Sequence, residues 1–525
     1  MVSRTLFPRG LRAALLVVVV LLLALVPAVA AQDEITLTPV ENESFLLAGV
    51  VPEGWQFAGP GLYARASGPA DVVLVALQSA PAAADVVLQS LLPQLGLTEA
   101  PEPAGTYETE AFTFTLYEVA VQASATLTID VNMGLAEANN RSYIVLLQST
   151  PEDTGALVDA VFFPMLDALR TFTPVPVVVD VPYTSEEVSV ENGDVTLAGT
   201  LTLPPGDGPH PAVVLVTGSG PQDRDESLEP LTPFKPFRDL ADALTRAGVA
   251  VLRYDDRGVA ASTGDFAAAT LDDFVSDAAA AVAFLKARAD INAGEIGVLG
   301  HSEGGYVTAR LGATNPDVAF LIAMAGPGAP GADVLLVQNE RILTASGASD
   351  ELIQSQLAML NAIFPLVEAR DWEAVEQVII DTAIIQYNLL TPEEQAIVGE
   401  PEPYARQQAA AFMAGYQTEW FRTFLSYDPA ADWAQTTVPV LAIFGDLDTQ
   451  VDVEQNAPLL EAALTEAGNG DFEIVVLEGA NHLFQAAQTG SPQEYGALDA
   501  AFIDGFLTTV TDWVTARVTV TAATE

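Results

Sequence analysis

At 525 residues the chain exceeds one small module and suits two to four domains of about 150 residues each. Half of it is hydrophobic and 17% is charged, the balance of folded globular domains and not of a disordered chain. With 70 acidic against 20 basic side chains the net charge is −50, which repels phosphate backbones and excludes nucleic acid as a partner; the absence of cysteine excludes disulfides, thiol nucleophiles and thiolate metal sites.

Arg4, Arg9 and Arg12 precede an apolar run from Ala13 to Val26, which is followed by Pro27 and the small residues Ala28, Val29 and Ala30. Residues 1–31 therefore read as a secretory signal. An uncleaved anchor is the alternative, because the run approaches the roughly 18 apolar residues that begin to span a bilayer. Cleavage would remove three arginines and no acid, taking the charge from −50 to −53. No second stretch reads as long and apolar enough to cross a membrane, so the expectation is an extracytoplasmic protein with no span after cleavage.

Residues 33–172 alternate short period-two strands such as "DVVLVALQS", "FTFTLYEVAVQ" and "RSYIVLLQS" with Gly, Pro and Asn punctuation, the pattern of an antiparallel sheet. Ala83–Leu95 and Asp153–Leu169 carry helical spacing instead. The expectation is an α+β domain with its helices on one sheet face. With "VPEGW" early and "GALVDAVFFPMLDALRTF" closing it, this region resembles PsbP/Mog1-type domains, which implies an accessory module without catalytic residues. Three prolines among β-branched residues in "TPVPVVVDVPYT" stiffen an extended connection, and residues 173–186 are read as a linker.

From residue 187 the rhythm becomes strand, helix, strand, helix. A hairpin turns at Asn192-Gly193, and "PAVVLVTGSG" lacks polar alternation, as strands buried on both faces do. Residues 187–518 therefore read as a mostly parallel, doubly wound α/β sheet. Its pattern is interrupted at 330–430 by amphipathic helices, expected to cap the strand ends. Leu352, Leu357, Leu360, Ile363, Phe364 and Leu366 are the apolar positions expected to roof a site there.

Gly300-His301-Ser302-Glu303-Gly304 falls between a predicted strand and a helix. A serine there sits on a sharp, strained turn whose small flanking residues let strand and helix approach. Ser302 is thus the candidate nucleophile, and a serine needs a base to take its proton. Only three histidines exist. His301 adjoins the nucleophile and projects away, and His210 opens a buried strand at the end opposite to where such sheets hold their sites. His482, in a loop after the last predicted strand, remains as the base. The carboxylate that orients it comes from "FGDLDTQVD", where Asp446, Asp448 and Asp452 compete.

The chain order of serine, acid and histidine, and the match of Gly445, Asp448 and Val451 to Gly-X-X-Asp-X-X-Val, resemble the α/β-hydrolase superfamily. The resemblance implies Asp448 as the acid, leaving Asp446 and Asp452 as solvated or capping groups. A tetrahedral intermediate needs two N–H donors. The Glu303 N–H at the helix start is one, and the loop after "LVTGSG", with Thr217-Gly218 where relatives carry His-Gly, makes the Ser219 N–H the other. Narrower motifs, "GSGPQDRDE", "RYDDRG", "GHSEGG", "WFRTFLSYDP" and "NHLFQ", resemble secreted bacterial carboxylesterases with an N-terminal accessory domain. They depart from that group at Ala260-Ala261, where Gly-Lys is expected. Asp223, Arg224, Asp225 and Glu226 are read as a structural ion-pair cluster.

These readings imply a serine hydrolase acting on a small-molecule ester of short to medium acyl chain, with no cofactor and no metal. A serine aminopeptidase on the same fold is the nearest alternative, since about 140 N-terminal residues cannot build the several blades of roughly 45 residues that prolyl oligopeptidases carry. A non-catalytic envelope binding protein is the alternative of another class.

Overall fold

The structure, a computed structural model, describes residues 35–520 except 43–44, 66–70, 93–94, 96, 98, 123–127, 174–180 and 229–230. The expected signal and the middle of the expected linker lie outside the described residues. The chain divides into two compact units, Met1–Pro176 with Leu390–Glu400 and Val177–Leu389 with Pro401–Glu525.

The first unit is built on an antiparallel sheet with strand order Gln56–Gly59, Leu62–Ala64, Leu74–Ala80, Arg141–Ser149, Thr128–Ala138, Thr113–Gln122, Gly105–Glu108. Its helices do not share one sheet face as the sequence reading had it. Leu74 and Ala76 pack with Val87, Leu88 and Leu91 of helix Ala84–Leu91, whereas Val75 and Leu77 pack with Leu157, Val161 and Met165 of the helical run 154–168. Alternate side chains of a strand point to opposite faces, so the two helices cover opposite faces. This is why Leu74–Ala80 and Arg141–Ser149 are buried almost throughout and show little polar alternation.

The second unit carries a sheet of eight strands among the described residues: β1 Thr184–Asn192, β2 Val195–Leu203, β3 His210–Val216, β4 Ala250–Tyr254, β5 Ile291–His301, β6 Phe320–Met324, β7 Val440–Gly445 and β8 Phe472–Leu477, in the spatial order β1-β2-β4-β3-β5-β6-β7-β8. β1 starts at Thr184, inside the segment read as linker. β2 runs antiparallel to β1 and β4, and all other pairs are parallel. β3, β4, β6 and β7 are buried along their whole length, because helices cover both faces. α1 (Pro236–Arg246) and α10 (Phe506–Thr515) supply Phe237, Leu240, Phe506 and Val510 to one core. α2 (Leu271–Lys286), α3 (Gly304–Thr314) and α9 (Val453–Glu466) supply Val282, Leu285, Val307 and Leu460 to the other.

Between β6 and β7 the chain forms α4 (Gly331–Ala345), α5 (Asp350–Ala369), α6 (Trp372–Tyr387), α7 (Pro401–Tyr416) and α8 (Glu419–Ser426). Side-chain oxygens of Ser349, Asp371 and Thr418 cap the starts of α5, α6 and α8, meeting N–H groups the helices leave unpaired. α5 is, against the sequence reading, long and apolar enough by length and composition to cross a membrane. Its Met359, Leu360, Ile363, Phe364 and Val367 instead pack with Val375, Ile379 and Phe421 in a core internal to these helices.

Candidate active site

Ser302 sits between β5 and α3 with φ +53, a left-handed conformation that costs an L-residue about 1 kcal/mol or more. The flanking glycines are required by contact: a Cβ on Gly300 would lie 2.0 Å from the Gly304 carbonyl oxygen, and one on Gly304 would lie 2.5 Å from that of Val216. The turn is tied to the sheet by the Ser302 N–H, which donates to Met324 O at 2.9 Å. Its strain exposes the side chain at the C-terminal ends of the parallel strands, the end where sites of such sheets lie.

His482 and Asp448 come together from the loops after β8 and β7. Nδ1 of His482 lies 2.8 Å from Oδ2 of Asp448, while Oδ1 of Asp448 accepts the N–H groups of Gln450 at 2.7 Å and Val451 at 2.9 Å. Asn481 braces the histidine loop, its Oδ1 accepting from the N–H groups of Leu483 and Gln485. The two loops approach so closely that a Cβ on Gly445 would lie 2.2 Å from the Ala480 carbonyl oxygen, which gives the glycine of the sequence pattern its physical reason. Asp446 is exposed and accepts the Gly479 N–H at 2.6 Å. Asp452 caps α9 and pairs with Arg341 of α4. His210 is buried at the start of β3.

Ser302, His482, Ser219 and Glu303 line one cavity of about 470 Å³. Among the described residues, neither the Ser219 nor the Glu303 backbone N–H is given to another acceptor. The cavity is walled by Val334 and Leu335 of α4 and by Trp420 and Phe424 of α8. The expected roof from α5 is not there: Leu360, Ile363 and Phe364 face the helices' own core, and none of the six expected positions lines the cavity.

The loop bearing Ser219 is held from behind. Asp256, after β4, accepts from Thr217 Oγ1 at 2.7 Å and from the Gln222 N–H at 2.9 Å, so one carboxyl closes both ends of the loop. Burial pushes Asp256 up to about 7. Glu303 accepts from Trp420 Nε1 at 2.7 Å, and burial pushes it up to about 7 against hydrogen bonds from Trp420 and Ser219.

Of the acidic run after the loop, Arg224 binds Asp255 through two nitrogens at 3.0 and 2.9 Å, and Asp225 pairs with Arg253. Glu226 is no part of that ion-pair cluster. It is buried inside the site, its Oε1 2.7 Å from Nδ1 of His301, a contact the sequence reading missed. The signal for it was the rarity of histidine: one of three stands beside the nucleophile. Among the described residues no group of three His, Cys, Asp or Glu side chains is arranged to hold a metal ion.

A serine aminopeptidase (S33) family model matches residues 234–366 and a prolyl oligopeptidase family model matches residues 395–508. The esterase EstD of Thermotoga maritima is 29% identical over 324 residues, 60% of this chain and 66% of the relative, so the match spans just under two thirds of that protein. Solved structures that resemble the chain include an esterase of Pyrococcus furiosus at 15% identity and TM-score 0.36, covering 66% of this chain and 96% of that one. A proline iminopeptidase of Mycobacterium smegmatis resembles it at 16% identity and TM-score 0.36, covering 63% and 98%. By its sheet order and its strained serine turn the chain has the α/β-hydrolase fold, and in sequence it is similar to an esterase and to these two families of serine hydrolases.

Proposed function

We propose that this protein is an extracytoplasmic serine hydrolase that cleaves carboxylic esters of short to medium acyl chain through an acyl-enzyme. The observation that carries the reading is the 2.8 Å contact of His482 Nδ1 with Asp448, made by a histidine that shares its cavity with Ser302. With Nδ1 committed to the carboxylate, Nε2 is the nitrogen that takes the Ser302 proton as Oγ attacks the ester carbonyl. The N–H groups of Ser219 and Glu303 receive the negative charge that develops on the carbonyl oxygen. Collapse of the tetrahedral intermediate breaks the ester C–O bond, and the His482 proton leaves with the alcohol. Water, deprotonated by the same imidazole, then attacks the acyl-Ser302 and frees the acid.

A cavity of about 470 Å³ stands toward the small end of ligand pockets, which run from about 300 to 1,000 Å³, and this supports a small ester over a long acyl chain. Export rests on Arg4, Arg9 and Arg12, the apolar run and the Ala28-Val29-Ala30 site. The test is labelling of Ser302 by a fluorophosphonate, followed by turnover of p-nitrophenyl esters of graded acyl length. Absence of labelling would favour a non-catalytic binding protein, and an optimum on long chains would overturn the acyl assignment. The peptidase names of the two matching families support a second reading, hydrolysis of aminoacyl amides, which parallel assay of matched ester and amide substrates separates from the first.

A further inference from the structure

Behind Asp448 and His482 lies a second buried imidazole–carboxylate pair. Nδ1 of His301 lies 2.7 Å from Oε1 of Glu226, and its Nε2 lies 3.0 Å from the carbonyl oxygen of His482. With Glu226 ionised, both the carboxylate and the carbonyl accept, which asks for a hydrogen on each ring nitrogen and favours the imidazolium form of His301. Burial opposes that charge, but the Glu226 carboxylate and the His482 carbonyl outweigh it and hold the His301 pKa above its usual value. Oε1 of Glu226 also accepts the Gly218 N–H at 3.0 Å, one residue before the donor at Ser219. The rings of His301 and His482 are 4.8 Å apart between centroids.

Two side chains thus join the loop that carries an oxyanion donor, the residue before the nucleophile, and the loop that carries the base. As a device for stability alone the arrangement is poor. Glu226 adopts φ +54, and among the described residues its buried Oε2 has no hydrogen-bond partner. A buried ion pair with an unmatched oxygen is often no more stabilising than apolar side chains of the same volume.

We propose that Glu226 and His301 are positioning residues, which hold the Ser219 N–H and His482 in register with Ser302 so that donor and base act on one tetrahedral intermediate. The proposal rests on the serine-hydrolase reading above. Glu226→Gln keeps the side chain's shape and removes its charge. His301 then drops to one ring hydrogen and gives up one of its two acceptors, loosening either the donor loop or the base loop.

The experiment measures turnover per fluorophosphonate-titrated site and the affinity of a trifluoromethyl ketone, which forms a tetrahedral adduct with the serine, for the wild type, Glu226→Gln and His301→Gln. The expected result is a loss of about 10- to 100-fold in kcat per titrated site, a parallel loss of ketone affinity, and KM within about three-fold of wild type. Turnover per titrated site within two-fold of wild type, even with a lowered Tm, would overturn the proposal, as would failure of both variants to fold, which would assign the pair to the fold alone. Failure of the wild type to label at all would instead strike the hydrolase reading.

Discussion

Oδ2 of Asp448 stands 2.8 Å from Nδ1 of His482, and both side chains are almost fully shielded from solvent. A carboxylate so placed fixes the imidazole tautomer and stabilises the imidazolium that forms on proton transfer. Asp448→Asn is therefore expected to lower kcat by about 10⁴, the loss seen for the same swap in an unrelated triad enzyme. Asp446→Asn, at an exposed residue that only accepts the Gly479 N–H, is expected to stay within a few-fold of wild type. Assay of both purified variants beside Ser302→Ala on one soluble ester decides the acid, and a reversed order of the two aspartates would move the assignment to Asp446.

Gly445 brings a prediction that reads out the meeting of the two loops. A methyl there would lie 2.2 Å from the Ala480 carbonyl oxygen, so Gly445→Ala pushes the histidine loop away from Asp448. Displacements of about 1 Å at a catalytic group can cost about 10²-fold in rate, and Gly445→Ala is expected to fall to that level. Gly470→Ala, with nothing within 4 Å of the new methyl, serves as the control and should leave kcat unchanged. Equal rates for the two variants would count against this account of the loop contact.

Glu303 links the site to the pH dependence of stability. Burial raises its pKa to about 7, so between the pKa of an unfolded glutamate, about 4.3, and pH 7 the folded chain binds more protons than the unfolded one. The contribution is fully present below the lower value and is lost as pH rises through about 7. Glu303→Gln, neutral at every pH and still able to accept from Trp420 Nε1, should lose less Tm than the wild type between pH 5 and pH 8. Asp256, raised by burial to the same region, keeps a residual slope in both proteins. Identical slopes would show that the Glu303 carboxyl does not titrate in that window.

Ala260 occupies the position where related esterases were expected to carry glycine, and it adopts φ +44 at an exposed turn. A left-handed alanine costs about 1 kcal/mol, of which the greater freedom of glycine in the unfolded chain takes back a part. Ala260→Gly is expected to raise Tm by about 1–2 °C with activity unchanged. A lowered Tm in calorimetry would mean that the turn holds alanine without strain.

The elements that frame the candidate site were legible in the sequence wherever close backbone approach demanded a spacing. Gly300, Ser302 and Gly304 stand out because two backbones cannot meet around a larger residue, and Gly445 fixes its distance to Asp448 for the same reason. Illegible were the features set by what packs against a segment. Leu74–Ala80 reads as an apolar run whether one helix or two cover it, so the opposite-face placement of the helices was invisible. The apolar stripe of α5 reads alike as a roof over a cavity and as the core of a helical layer, and only tertiary contact with α6 and α8 separates them. Glu226 was masked by its neighbours: Arg224 and Asp225 do form ion pairs, and nothing local marks the next carboxylate as turned inward to a histidine 75 residues away.

Asp256 closes the segment Thr217–Gln222 into a ring, bonding the side chain at one end and the backbone at the other. A donor mounted on a closed ring has lost its conformational freedom before any substrate arrives, so remote parts of the substrate need supply no binding energy to order it. Enzymes that draw on such remote contacts lose kcat when the substrate is trimmed. On the proposed serine-hydrolase reading the expectation is the opposite: trimming the alcohol half of an ester should raise KM while kcat for the acylation step holds, as a series of esters with one acyl group and alcohols of matched acidity would measure.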